Sequence, residues 1–140
     1  MIVLDTNVVS EGSKPWPSEI VLNWLDAQIF SEVFTTAITL AEVMSGLEEM
    51  PHGKRRTLLR ATVETMFREK FAGRILPFDG DAARAFAVIV ASRDAMGRPI
   101  SQFDAMIAAI ARTHRAAVAT RNTEDFEHCG IQLVDPWKYR

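Results

Sequence analysis

The sequence predicts an α/β protein with a mostly parallel central sheet of about four to five strands. Short apolar runs rich in β-branched residues alternate with longer segments whose apolar residues recur at helical spacing. Parallel strands need a crossover connection, usually a helix, so this alternation favours a parallel sheet. The chain has 140 residues, of which 48% are hydrophobic, which is enough for a substantial core. We therefore expect residues 1–140 to form a single domain.

The first half of the chain is predicted to contain three strands and three helices. The run 1–4 is apolar and β-branched, as in a strand buried on both faces. After a loop at 12–17, Ser18 caps a helix whose inward face should carry Ile20, Val21, Trp24, Leu25 and Ile29. The predicted elements are a strand at 1–4, a helix at 18–28, a strand at 33–38, helices at 39–50 and 54–71, and a strand at 74–78.

The second half is predicted to continue the same alternation. A helix at 81–96 ends at the segment 97–99 (Gly-Arg-Pro), because glycine and proline disfavour further helix. Ser101 then begins a helix whose inward residues should be Phe103, Met106, Ile107, Ile110 and Ala111. The remaining predicted elements are a strand at 116–120, a turn or short helix at 121–126 and a strand at 131–134.

Composition leaves the class of ligand open. The 16 lysines and arginines nearly balance the 18 aspartates and glutamates, and a net charge of −2 neither indicates nor excludes nucleic-acid binding. The single cysteine, Cys129, excludes an internal disulfide and fits a reducing compartment. No apolar run approaches the ~20 residues of a membrane span, and the amino terminus lacks a signal-peptide core. We expect a soluble, cytoplasmic protein.

Acidic residues from separate segments are predicted to meet at one edge of the sheet. Asp5 ends the first strand, and Glu42 lies in the helix after the second. Asp104 begins the helix that leads into the strand at 116–120, and Asp125 follows that strand. The carboxyl end of a parallel strand and the amino end of the next helix share an edge. Carboxylates a few ångströms apart repel by ~4 kcal/mol at an effective dielectric of 20, and a divalent cation would relieve that repulsion.

Each acid also has a structural explanation. Thr39 with Glu42, and Ser101 with Asp104, have the spacing of a capping box, in which the third helical residue bonds back to the cap. Asp5 can serve as a cap or turn residue, and Asp125 can be a solvated turn residue. The alternatives do not account for the convergence of four acids.

Four motifs occur in the order and spacing of PIN-domain ribonucleases: Ile2-Val3-Leu4-Asp5-Thr6-Asn7, Thr39-x-x-Glu42, Phe103-Asp104-Ala105-Met106-Ile107-Ala108 and Thr120-Arg121-Asn122-Thr123-Glu124-Asp125-Phe126. Over residues 1–137 the chain resembles the VapC/FitB-like toxins of bacterial toxin–antitoxin systems. The resemblance implies a three-layer α/β/α fold and an endoribonuclease that uses Mg²⁺, or Mn²⁺, to cut single-stranded or tRNA-like RNA. It further implies a homodimer, or a larger complex, and inhibition by a cognate antitoxin protein.

The resemblance also implies roles for individual residues. Asp5, Glu42 and Asp104 match the family's acidic cluster, and Asp5 and Asp104 are the expected metal ligands. Asn7 and Thr120 match its supporting polar positions, and Asn122 is a further candidate for a supporting residue. The fourth acid is assigned to Asp125, with Glu124 as the alternative, because Asn122 is an amide where some relatives have an acid.

The predicted substrate contacts are basic. Arg121 adjoins the acidic edge and Arg98 is a second candidate, whereas Lys54, Arg55 and Arg56 fit an exposed helix face equally well. Two other functions are compatible with the acids. An aspartyl phosphatase usually needs a second acid two residues after the first, where this chain has Asn7. A non-catalytic module would use the acidic cluster to bind a basic protein partner.

Overall fold

Five strands form one sheet in the order β3-β2-β1-β4-β5 in the computed structural model, which describes residues 1–140. Every neighbouring pair is parallel, so the predicted mostly parallel sheet is entirely parallel. The strands are β1 (Ile2–Leu4), β2 (Val33–Thr36), β3 (Ile75–Leu76), β4 (Ala117–Ala119) and β5 (Leu133–Val134). The helices are α1 (Thr6–Gly12), α2 (Glu19–Asp26), α3 (Ala37–Glu49), α4 (Lys54–Thr65), α5 (Gly80–Ala95) and α6 (Gln102–Thr113).

Two apolar cores cover the two faces of the sheet, and the fold has three α/β/α layers. Successive side chains of a strand point to opposite faces. Val3 of β1 accordingly belongs to the core that contains residues of α5 and α6, whereas Leu4 belongs to the core that contains residues of α1 to α4. Val118 and Ala119 of β4 divide in the same way. The central strands are therefore buried on both faces, as the apolar run at the amino terminus predicted.

Helix α1 is absent from the sequence prediction, which treated the residues after Leu4 only as the end of a strand. Asp5 caps this helix by accepting a hydrogen bond from Thr6 N at 2.8 Å. The seven-residue helix is too short to show a convincing apolar period, although Val8 and Val9 are buried. The strand therefore passes into a helix at Asp5 without an intervening loop.

The boundary between β2 and α3 also lies earlier than predicted. Thr36, not Thr39, caps α3: Thr39 N donates to Thr36 Oγ1 at 3.0 Å. The predicted strand at 33–38 consequently ends at Thr36. Glu42 lies in the second turn of α3, so the capping-box explanation of Glu42 was wrong. By contrast, Ser101 caps α6 as predicted, with Asp104 N donating to its Oγ at 3.2 Å.

Three residues predicted to face inward are exposed. Ile20 and Ile29 flank the buried residues of α2, and Phe103 lies in the first turn of α6 with half of its surface in solvent. Helical periodicity indicates an apolar face but does not say how much of that face a neighbour covers. The predicted helix at 54–71 is also divided, because α4 ends at Thr65 and the turn Met66–Lys70 has π geometry. None of the helices combines the length and the apolar character that a membrane-spanning helix requires.

Candidate active site

The candidate site lies where the sheet order reverses. The chain builds β2 and β3 on one side of β1 and then crosses to place β4 and β5 on the other. In open α/β sheets, ligands bind beyond the carboxyl ends of the strands at this switch point. Asp5 follows β1 and Thr120 follows β4, and Asp5 N donates to Ala119 O at 2.9 Å. The side chains after the two strands are thus held next to each other.

Asp5 is buried and its carboxylate is held by three donors. Thr6 N donates to Oδ1 at 2.8 Å, while Thr120 Oγ1 and Asn7 Nδ2 donate to Oδ2 at 2.8 and 3.2 Å. A carboxylate has roughly four lone-pair sites, so acceptor capacity remains on Oδ1. Burial raises the pKa of Asp5, the hydrogen bonds lower it, and the negative charges of Glu42 and Asp125 raise it further, so that the net shift is upward.

Asn7 and Thr120 join the ends of β1 and β4. Asn7 Nδ2 donates to Thr120 Oγ1 at 3.2 Å, and Asn7 Oδ1 accepts from Arg121 N at 3.2 Å. Asn122 N also donates to Thr120 Oγ1. Asn122 thus contributes its main chain to this network, and its side chain is exposed. The structure places Asn7 and Thr120 in direct contact with Asp5.

Glu42 reaches the same edge from α3. Thr6 Oγ1, in the first turn of α1, donates to Glu42 Oε1 at 2.8 Å and fixes the carboxylate beside Asp5. Burial raises the pKa of Glu42, the Thr6 hydrogen bond lowers it, and the negative charge of Asp104 raises it again, with a net upward shift. Sequence reasoning gave Thr6 no role, although its position directly after Asp5 was a usable signal.

Asp104 approaches from the first turn of α6 and is only partly buried. Burial raises its pKa, as do the charges of Asp5 and Asp125, while the Ser101 side chain and the Arg93 guanidinium lower it. The net shift is upward. The mutual effects among Asp5, Glu42 and Asp104 show that three carboxylates from β1, α3 and α6 share one electrostatic environment.

Asp125 is the fourth acid at this edge. It lies in the 3-10 turn Thr123–Phe126, and its charge acts on both Asp5 and Asp104. Glu124, the neighbouring alternative, is not among the main influences on the pKa values of the three other acids. The electrostatics therefore favour Asp125 over Glu124 as the fourth acid. Its carboxylate is exposed.

None of the four acids forms an ion pair. Each ion pair in the structure involves other carboxylates, and none contains Asp5, Glu42, Asp104 or Asp125. No set of three or more His, Cys, Asp or Glu side chains is arranged to hold a metal ion by itself. Mg²⁺ usually keeps several waters and takes one or two carboxylates. The carboxylate oxygens of these acids repel one another, and a hydrated Mg²⁺ or Mn²⁺ would relieve that repulsion. Such an ion fits a site in which two acids bind it better than one in which four acids enclose it.

A family model described as PIN domain matches residues 2–131. This chain belongs to the PIN-domain family. The chain is 46% identical over 138 residues to the VapC ribonuclease Y4jK of Sinorhizobium fredii, covering 99% of each protein. It is 41% identical over 137 residues to Toxin FitB of Neisseria gonorrhoeae, covering 98% of this chain and 99% of the relative. The crystal structure of FitAcB from Neisseria gonorrhoeae superposes with a TM-score of 0.92 at 40% identity, covering 99% of each chain.

These comparisons confirm the predicted PIN fold and the resemblance to VapC and FitB proteins. The two predicted substrate arginines of this PIN domain lie in different settings. The guanidinium of Arg121 is 5.1 Å from the centroid of the Trp137 ring, and its charge also acts on Glu11. Arg98 Nη2 pairs with Glu127 Oε2 at 3.0 Å, and both side chains are nearly half exposed. Arg121 and Arg98 therefore stay predictions as RNA-binding residues, and both are held by neighbours other than the four acids.

A groove beside Glu42 brings one of the helix-face cations near the PIN-domain site. Its volume is about 670 Å³ and it runs between α1, α3 and α4, with Thr6, Glu42 and Arg55 among its lining residues. Arg56 instead pairs with Glu48 at 2.7 Å, next to a second pair between Glu48 and Arg60. Lys54 is exposed. Of the three cations at 54–56, only Arg55 lines this groove.

Sequence reasoning missed two buried charged residues of this PIN domain. Glu11 is buried and accepts hydrogen bonds from Ser18 N and Lys14 Nζ, both at 3.0 Å. Arg93 is buried in α5, and sequence reasoning gave it no role within the predicted helix at 81–96. For Arg93 the available signal was a charged residue within an apolar helical period, because charged side chains are seldom fully buried unless paired. For Glu11 the short helix α1 gave no such period.

Proposed function

We propose that this chain is the toxin of a toxin–antitoxin pair and acts as a Mg²⁺-dependent endoribonuclease on single-stranded or tRNA-like RNA. The observation that carries the proposal is the convergence of Asp5, Glu42 and Asp104 at the switch point of the sheet. The pKa values of all three are raised, and none of the three carboxylates forms an ion pair. The names VapC ribonuclease and Toxin FitB, borne by relatives of nearly the same length, support the same reaction class.

Asp5 and Asp104 are the proposed metal ligands. Asp5 offers the remaining acceptor capacity of Oδ1, since Thr120 and Asn7 occupy Oδ2. The hydrogen bond from Asp104 N to Ser101 Oγ uses no carboxylate oxygen, although the Ser101 side chain also lowers the pKa of that carboxyl. The chemistry that Mg²⁺ supplies when bound is activation of a water molecule and stabilisation of charge on the phosphate oxygens.

The other two acids are proposed to handle the attacking water. Glu42 is held in place by Thr6, and its raised pKa makes it a better proton acceptor than an ordinary glutamate. Asp125 faces the cluster from the exposed side, where RNA would enter. Glu42 is therefore assigned the orientation of water and Asp125 the completion of the acidic edge. Arg121 and Arg98 are the proposed contacts to RNA phosphates.

The proposed partner is a cognate antitoxin. Toxin FitB and the FitAcB structure both come from Neisseria gonorrhoeae, and the FitAcB chain has this fold over its whole length. We propose that this chain forms a homodimer that assembles with a cognate antitoxin. The proposed RNA substrate implies that the protein acts in the cytoplasm.

The test is cleavage of total tRNA, and of an unstructured RNA, by purified protein free of antitoxin. We expect cleavage with Mg²⁺ and none with EDTA. Asp5→Asn should lose at least about 100-fold in rate, because loss of a metal ligand removes several kcal/mol of transition-state stabilisation. The matched control is Asp81→Asn on α5, whose side chain is 77% exposed and which should cut like the wild type.

Two results would contradict the proposal. One is intact RNA after incubation with folded protein that demonstrably binds Mg²⁺ or Mn²⁺, which would favour the acidic-cluster binding module. The other is cleavage that survives both EDTA and Asp5→Asn, which would identify a contaminating nuclease or a site elsewhere. A preference between the two RNA substrates would decide whether folded tRNA or any single strand is the target.

A further inference from the structure

Arg93 is a buried cation without a carboxylate partner. Only 4% of its surface is exposed, and it forms no ion pair. Burying a guanidinium is costly unless hydrogen bonds replace its water. Arg93 is provided with such bonds by main-chain carbonyls: Nε donates to Arg98 O at 2.6 Å, and Nη1 donates to Asp125 O and Glu127 O, both at 3.0 Å. These hydrogen bonds offset part of the cost of burying the guanidinium, and they fix two segments of backbone to it, one at Arg98 and one at 125–127.

Both backbone segments are connected to acids of the site. The first leads into α6, which bears Asp104, and the second contains Asp125. Arg98 lies in the connection between α5 and α6, just before the turn of α6 that bears Asp104. Asp125 O belongs to the residue that supplies the fourth acid. The Arg93 guanidinium therefore joins two segments to the end of α5: the connection before Asp104 and the turn that contains Asp125. It forms no hydrogen bond with either carboxylate.

In the turn of Asp125, Asp125 N donates to Asn122 O at 3.0 Å and Asn122 N donates to Thr120 Oγ1 at 3.1 Å, but neither bond involves the Asp125 carbonyl. Phe126 is buried beneath the turn, and Arg98 pairs with Glu127 at the surface, where an ion pair contributes little. The Asp125 carboxylate is exposed and takes part in no hydrogen bond, so its position depends on its main chain. Arg93 supplies the only side-chain donor to the carbonyl of Asp125.

We propose that Arg93 is a positioning residue that holds Asp125 beside Asp5 and Asp104 through the main chain and thereby sets the affinity of the site for its divalent cation. The inference rests on the proposed function, because it takes Asp5 and Asp104 to hold the cation and Asp125 to complete the acidic edge beside them. Lysine would keep the charge of Arg93 but lose the planar fork of donors that reaches three carbonyls at once.

The test is Mn²⁺ binding by calorimetry to full-length wild type, Arg93→Lys and Arg93→Gln, without RNA. Loss of a residue that orients metal-binding groups typically weakens metal affinity by ~10–100-fold. We expect at least a tenfold loss for both variants, with faster amide exchange at 122–127. The control is Arg84→Lys, also on α5 but 81% exposed, which should bind Mn²⁺ like the wild type. Should Arg93→Gln fail to fold, the milder Arg93→Lys still gives the result.

A double-mutant cycle separates positioning from a general packing role. If Arg93 acts through Asp125, Arg93→Lys should cost less than about twofold in Mn²⁺ affinity once Asp125→Asn is present. Additive losses, or wild-type affinity in a folded Arg93 variant, would overturn the inference. If the wild type binds Mn²⁺ and the Arg93 variants lose affinity as expected but RNA stays intact, the proposed nuclease activity fails and the inference about metal affinity stands. If the wild type cuts RNA and Arg93→Lys binds Mn²⁺ normally, only the inference fails. A wild type that binds no Mn²⁺ overturns both.

Discussion

Asp104→Asn removes one negative charge from the acidic cluster while keeping the shape of the side chain. The change leaves the helix cap intact, because Asp104 contacts Ser101 Oγ through its backbone N. Burial and the charges of Asp5 and Asp125 raise the pKa of Asp104, so its ionised form is disfavoured in the folded protein. We therefore expect the asparagine variant to be more stable than the wild type at neutral pH without divalent cations.

The size of this gain in stability is the difference between two opposing effects of the Asp104 carboxylate, its repulsion by neighbouring acids and its attraction to the helix dipole. Two like charges 4 Å apart repel by about 1 kcal/mol in water and about 4 kcal/mol at an effective dielectric of 20, and the partly exposed position of Asp104 favours the lower figure. Against this, a carboxylate in the first turn of α6 gains ~0.3–1 kcal/mol from the helix dipole. Repulsion from two neighbours outweighs the dipole, so we expect a net gain of ~1 kcal/mol, or about 3 °C in Tm for a chain of this length.

The gain should depend on pH in a defined direction. A carboxyl whose pKa is raised in the folded state binds its proton more tightly there than in the unfolded chain, so stability falls as pH rises past the ordinary aspartate pKa. The difference in Tm between Asp104→Asn and wild type should vanish in acid, where Asp104 is protonated. It should grow as pH rises and level off above the raised pKa.

Mg²⁺ should reverse the order of stability. A ligand that binds only the folded state at 100 times its Kd stabilises that state by ~2.7 kcal/mol, or about 8 °C here. The wild type should gain this amount from Mg²⁺ and Asp104→Asn much less, since it lacks one proposed ligand. Thermal unfolding followed by circular dichroism, with and without Mg²⁺, measures both effects, and Asp81→Asn serves as the exposed control.

An Asp104→Asn variant that is less stable than the wild type at neutral pH without metal would refute the reasoning. The carboxylate would then be held by contacts that outweigh the repulsion. A Tm difference that is the same at pH 4 and pH 8 would refute it as well, since titration of the acid is the stated cause.

Three further changes test other contacts. Thr120→Val removes the hydroxyl that donates to Asp5 Oδ2, and RNA cleavage should fall ~10–100-fold with little change in RNA binding. Glu11→Ala leaves Ser18 N without its acceptor and should destabilise by ~1–3 kcal/mol in urea unfolding. Because the Lys14 hydrogen bond lowers the pKa of Glu11, that loss should shrink as pH falls through the lowered pKa. Arg121→Ala should raise KM for RNA and reduce the slope of log affinity against log salt by about 1, whereas an unchanged slope would exclude a phosphate contact.

The sequence predicted the sheet and the meeting of the acids because both depend on the order of elements. Once strands and helices alternate, the end of β1 and the start of α6 must lie at the same edge, whatever their side chains do. The boundaries that were wrong involve a choice between nearby polar residues. Thr36 and Thr39 are both good caps, and only the hydrogen bond from Thr39 N to Thr36 Oγ1 shows which one ends β2.

The basic residues were harder to predict than the acids for a related reason. An aspartate is short, so the position of its backbone nearly fixes its carboxylate, and topology alone brings Asp5 and Asp104 together. An arginine side chain is long and flexible, so its backbone position leaves the destination of the guanidinium open. Arg121 directly follows Thr120 of the acidic edge in the sequence, yet its guanidinium lies near Trp137. Arg93 lies on an apolar helix face, yet its guanidinium donates a hydrogen bond to the turn of Asp125. Topology therefore locates the acids, whereas the contacts of each arginine have to be read from the structure.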